Sequence, residues 1–103
     1  MDKAKFTIGQ IVHHKLFNYR GVIFDIDFCF QGSEEWYARI ARSRPPKDKP
    51  WYRVLVDNAT YQTYVAEQNL EISKLSGPIF NPQVEHYFSA IEDGVYMSFI
   101  RKN

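Results

Sequence analysis

Val22-Ile23-Phe24-Asp25-Ile26-Asp27-Phe28 decides how this chain is read. Val22, Phe24, Ile26 and Phe28 alternate with Ile23, Asp25 and Asp27, a period of two that marks a strand with one apolar face. Upstream, Phe17-Asn18-Tyr19-Arg20-Gly21 carries the Asn and Gly of a tight turn or bulge. Residues 10–16, introduced by Gly9, read as the preceding strand. Downstream, residues 51–57 place Tyr52, Val54 and Val56 on one face and Trp51, Arg53 and Leu55 on the other. Asp57-Asn58 is a turn signal. Residues 61–66 return as the hairpin partner, and residues 70–72 form a short further strand.

A different pattern fills the space between the second and third strands. Ser33 followed by Glu34 and Glu35 reads as a helix N-cap with acids in the first turn, where they complement the helix dipole. Trp36, Tyr37 and Ile40 then recur at helical spacing, and Pro45-Pro46 ends the run. From Ser76 onward the chain reads as irregular, with a short helix expected over residues 83–91 and stopped by Gly94. Short strands, tight turns and one longer insert predict a mainly β protein. The architecture expected is a small SH3-like β-barrel, partly open, with an OB-like barrel as the alternative.

The chain has 103 residues, 45% apolar and 24% charged, which predicts a single globular domain over residues 1–103. Aromatics reach 17%, a share suited either to filling a small barrel or to lining a groove. One cysteine, Cys29, excludes an internal disulfide and any multi-cysteine zinc site, and it reads as a buried, inert thiol. No secretory signal and no span of about 20 apolar residues is visible, so a cytoplasmic protein without membrane contact is expected.

The net charge of +1 argues against a generic polycation, but it hides a segregation. Residues 1–35 sum to −1, residues 36–56 to +5 and residues 57–103 to −3. The basic insert carries Arg39, Arg42, Arg44, Lys47, Lys49 and Arg53, with Trp36, Tyr37 and Trp51 at its ends. Such a segment suits a phosphate backbone with rings available for stacking, or is simply a solvated loop.

Constellations for catalysis are sparse. Asp25 and Asp27, two apart on a strand, share a face and could do acid–base work, or pair with Arg20 or Arg53. His13 and His14 are neighbours, so a strand points them to opposite faces and they cannot share a metal. No glycine-rich phosphate loop is present, and nothing assembles a nucleophile, a base and an oxyanion donor.

Lys5-Phe6-Thr7-Ile8-Gly9-Gln10-Ile11-Val12-His13-His14, followed by Tyr19 to Asp27, resembles the start of the HspQ (YccV-like) family. Pro50-Trp51-Tyr52-Arg53-Val54-Leu55-Val56-Asp57 and Tyr64-Val65-Ala66-Glu67-Gln68-Asn69-Leu70 are similar to it as well. The Glu35-Trp36-Tyr37 helix and the Arg44-Pro45-Pro46-Lys47-Asp48 loop resemble its longer-loop bacterial branch. The sequence departs from the family pattern at Asn81-Pro82, where His-Pro is expected, and at Asp27-Phe28-Cys29, where Asp-Pro is expected. The resemblance implies a small cytoplasmic bacterial protein with an SH3-like barrel that binds hemimethylated DNA. It also implies a heat-shock factor promoting degradation of proteins such as the replication initiator through the Lon protease. Neither role is catalytic.

The expectation is therefore a non-enzymatic binding module with no cofactor and no metal. Duplex DNA would meet Arg39, Arg42, Arg44, Lys47 and Lys49, with Arg53 and Arg20 in support. Trp36, Tyr37 and Trp51 would form an interaction surface. Lon or its substrates are the alternative partners, and self-association through strand edges is a further expectation.

Overall fold

The computed structural model describes residues 3–41 and 43–99. Strands β1 (Ile11–His14), β2 (Arg20–Asp27), β3 (Trp51–Val56) and β4 (Gln62–Ala66) follow one another as an antiparallel meander. A 3-10 turn over Glu67–Asn69 then brings β5 (Leu70–Ile72) back against β1, giving the order β4-β3-β2-β1-β5. The mainly β class holds. Among the described residues β4 and β5 do not pair, so the sheet is open.

The deciding stretch does not keep its period of two. Ile23 opposes Val54 and Asp25 opposes Arg53, so Phe24 is the extra residue of a β-bulge. A one-residue insertion exchanges the faces of every side chain beyond it. Val22 and Phe24 lie on one side, while Ile26 joins Ile23 on the other, packed with Tyr52, Val54 and Val65. The single apolar face expected for Val22, Phe24, Ile26 and Phe28 is therefore corrected: the strand is buried on both sides, and Phe28 is exposed beyond its end.

Burial on both sides needs a second cover, and the C-terminal third supplies it. The helix expected over residues 83–91 is a single turn, α2 (Val84–Tyr87), followed by a hairpin of β6 (Phe88–Glu92) and β7 (Val95–Ser98). Gly94, at φ +77°, belongs to the hairpin turn rather than to a helix end. Phe88 and Tyr96 from this hairpin, with Ile79, pack on Ile11, Val22 and Leu55. β6 is exposed at every position after Phe88 and its register shifts between Phe88 and Ala90, so its sequence carries no period of two.

Hydrogen bonds hold the cover down. Arg20 donates to the carbonyl oxygens of Leu75, Gly77 and Pro78 at 2.9, 3.0 and 3.0 Å and to Asp57 Oδ2 at 3.2 Å. Asp57 Oδ1 accepts the Phe80 N–H, and the Tyr96 hydroxyl accepts that of Ile79. Asn81, standing where His-Pro was expected, is buried and donates to the carbonyls of Val56 and Tyr61. The cover joins the main sheet at Gly9, whose N–H donates to Ile23 O and whose carbonyl accepts from Tyr96.

Gly9 has φ +97°, and a Cβ there would lie 2.2 Å from Tyr96 O. Gly9→Ala should therefore destabilise the protein by about 2–4 kcal/mol through backbone strain and overpacking, read as a lower denaturant midpoint. A midpoint equal to that of the parent chain would show that the hairpin contributes nothing at this contact.

Candidate nucleic-acid interface

The basic insert is fastened by aromatic rings. Ser33 caps α1 (Glu34–Ile40) by accepting the Trp36 N–H. Trp36 and Tyr37 turn back onto Trp51, Phe30 and Tyr64, with ring centroids 4.8 to 6.4 Å apart. Offset and edge-to-face pairs of this kind each add about 0.5–1.5 kcal/mol beyond area burial. The Tyr37 hydroxyl donates to Pro45 O at 2.7 Å and the Trp51 indole to Pro46 O at 3.1 Å, so the two prolines are pinned to the rings. The insert is thus an ordered part of the molecule.

This arrangement corrects the expected interaction surface. Trp51 is 1% exposed and Tyr37 8% exposed; both fill a core, and only Trp36 keeps partial exposure. The reason is that β3 is buried along its whole length, apart from the half-buried Arg53. Phe30, which the sequence reading did not single out, sits among all four other rings. Its signal is the break after Asp27: Phe28 and Cys29 turn outward and Phe30 turns in. Cys29, expected to be buried, is exposed for the same reason.

The cations divide into two groups. Arg39 and Arg44 are exposed, Arg44 with a left-handed backbone at φ 53°, and Lys49 is exposed beside Lys5 in one shallow hollow. Arg42 lies outside the described residues. Lys49 also has a contact within the chain, and Lys47, Arg53 and Arg20 make the contacts that follow. Lys47 Nζ is 2.6 Å from Glu34 Oε1 and 4.3 Å above the Tyr37 ring. Arg53 lies 4.5 Å over Tyr64, with Nη2 3.5 Å from Asp27 Oδ2 and Nε 3.9 Å from Asp25 Oδ2. Arg20 is the clamp on the C-terminal cover.

Beside the insert runs a groove made of two adjoining hollows, the larger about 410 Å³. One wall is edge strand β4 with Thr63, Tyr64 and Val65; the other is the β1–β2 connection with Phe17 and Tyr19. Trp36 and Ile40 of α1 close one end. Phe17 is 75% exposed, Leu16 59% and Ile40 54%. Ile40, which follows Trp36 and Tyr37 at helical spacing, lines this groove. The sequence reading missed Leu16 and Phe17 as surface residues; the available signal was a pair of large apolar residues directly before a turn Asn.

The family model described as "Hemimethylated DNA-binding protein YccV like" matches residues 4–95. The chain belongs to the YccV-like family. The match spans the five-stranded sheet, the insert, the groove and most of the C-terminal cover of this YccV-like chain.

In this YccV-like fold the paired carboxylates serve Arg53 and Tyr64. The Tyr64 hydroxyl donates to Asp27 Oδ2 at 2.6 Å; burial, then this bond, pushes its pKa up to about 12. Among the described residues no group of three or more His, Cys, Asp or Glu is placed to hold a metal. No helix among them is long and apolar enough to cross a membrane.

The pKa values of the two neighbouring histidines are shifted in opposite directions. His14 is buried and its Nδ1 accepts the N–H groups of Leu16 and Phe17 at 3.1 and 3.0 Å, so the neutral ring shapes the turn that walls the groove. Burial, and then the charge of His13, lower its pKa from the usual 6.5. His13 is bonded to Asn18 and Glu71, and these bonds raise its pKa.

As pH falls below 6.5 the unfolded chain protonates His14 before the folded chain does, and stability is lost. His13 acts the other way: its contribution is full below 6.5 and is lost as pH rises through the raised value. A His13→Ala variant should therefore show a steeper loss of denaturant midpoint from pH 7 to pH 5 than the parent chain. An unchanged slope would mean that the two shifts do not oppose each other.

Proposed function

We propose that this chain is a non-enzymatic module that binds duplex DNA, hemimethylated sites included. The family match over residues 4–95 carries this reading. The strand order, with β5 returning to β1, supports an SH3-like character for the open sheet. The side chains assigned to phosphate are Arg39, Arg44 and Lys49, which the fold leaves exposed on the insert. Lys47, Arg53 and Arg20 are assigned the structural contacts described above. Phosphate contacts fix position but carry no sequence information.

With about three to five phosphates neutralised, affinity should fall by roughly two orders of magnitude between 50 and 200 mM salt. Arg39→Gln with Arg44→Gln should weaken binding to every duplex alike and reduce the salt slope by about two, measured by fluorescence anisotropy. A curve that stays flat across that salt range removes the insert from DNA binding.

A second reading is regulation of an ATP-dependent protease of the Lon type. It is favoured by large apolar side chains left exposed away from the insert, among them the aromatic Phe80 and Tyr61, since aromatic side chains are common anchors of protein contacts. Added to a purified Lon degradation assay, the protein should accelerate turnover of at least one substrate, and Phe80→Ser should reduce that gain. Turnover identical with and without the protein counts against this role.

A further inference from the structure

We propose that the groove between β4 and the β1–β2 connection reads a methyl group carried by a base in the major groove. This deepens the DNA-binding reading and rests on it. Four observations support the assignment. First, the groove is apolar yet open: Phe17, Leu16 and Ile40 are more than half exposed, so their transfer out of water is still available to a ligand. Second, it is continuous with the basic insert. Ile40 follows Arg39 directly in the chain, and Ser43 and Pro45, which line the smaller hollow, flank Arg44.

Third, the charge suits a polyanion. Neither hollow has a carboxylate in its wall, and Arg53, which lines the larger one, already has its charge met by Asp25 and Asp27. Three other hollows on the surface carry Glu71, Glu67 and Asp93 in theirs. Fourth, the rings are fixed. Trp36 is held by Phe30 and Trp51, and Tyr19 by His14 and by its hydroxyl at 2.6 Å from Thr63 Oγ1. A methyl group on adenine N6 or cytosine C5 projects into the major groove and presents only apolar surface, so a preformed apolar wall beside phosphate-binding cations is the chemistry that distinguishes it. Tyr37 and Trp51 are buried and take no part; Phe17 and Ile40 carry the contact, with Trp36 behind them.

The test compares unmethylated duplex with duplexes carrying one N6-methyladenine or one 5-methylcytosine, on the parent chain and on the Phe17→Ser/Ile40→Ser double variant. Burying one methyl group should favour at least one methylated duplex by about fourfold in the parent chain. In the double variant the ratio should fall to about one, with affinity for unmethylated duplex kept within about twofold, because phosphate contacts supply that affinity. Both substituted side chains are largely exposed, and circular dichroism will show whether the variant folds. Phe80→Ser, an exposed aromatic outside the groove, serves as control and should keep the parent ratio.

A fourfold ratio that survives in the double variant overturns the assignment. So does an equal loss for all duplexes, which would make the groove a general contact. A variant with unchanged DNA binding that no longer stimulates Lon would give the groove to a protein partner instead. If the parent chain binds no duplex, the DNA-binding reading itself fails, and that outcome is distinct from all of these.

Discussion

Trp51 is the residue on which the insert depends. It begins β3, is almost wholly buried, and is ringed by Phe30, Trp36, Tyr37 and Tyr64. A seven-residue helix has too few hydrogen bonds to persist in water alone. Packing Trp36 and Tyr37 against Trp51 gives α1 the tertiary partner it needs. The same indole donates to Pro46 O, so the loop that follows is tied to the same point. Basic residues repel one another, and a loop carrying several would otherwise spread in solvent. Lys47, lodged between Glu34 and the Tyr37 ring, turns one of those charges into part of the fastening.

The second constraint is that β2 and β3 are buried on both faces. Val22, Ile23, Val54 and Leu55 have no exposed surface, and they point alternately to two cores. One core gathers residues of all five strands with Phe6; the other is covered by Phe88 and Tyr96 of the hairpin β6–β7. Cover at that end and ring packing at the other divide the outer face between them. The edge of β4 is left uncovered, and the groove lies there.

Legibility in the sequence followed the range of the interactions. All five strands of the main sheet could be located from alternation and turn residues, within a few residues at each end. The N-cap at Ser33 and the acids after it marked α1, because capping is a local interaction. The bulge at Phe24 left no local mark, since Ile23 and Phe24 are both apolar and either fits either face. The hairpin over Phe88–Ser98, where the sequence suggests the end of a short helix and then irregular chain, leaves little local signal because its strands are mostly exposed and owe their position to Gly9 and Tyr96, far apart in the chain. Basic residues were found by counting, but their roles were not. Arg20 and Arg53 differ from Arg39 only in what the fold brings near them.

Electrostatics and the groove act at different distances. Beyond a Debye length of about 8 Å at physiological salt, the charges of a polyanion and of this chain are largely screened from each other. Closer in, the +5 segment over residues 36–56 dominates, while the −3 over residues 57–103 is repelled. Such a separation would steer an approaching polyanion, and the orientational constraint is what slows the docking of two specific patches. Arg39 and Ile40 are consecutive at the end of α1, so the exposed cation and the groove residue lie on the same helical turn. Charge alone would hold all sequences equally. Discrimination would need a surface that gains by contact with carbon, and Ile40 and Phe17 are large exposed apolar side chains that line the groove beside the insert.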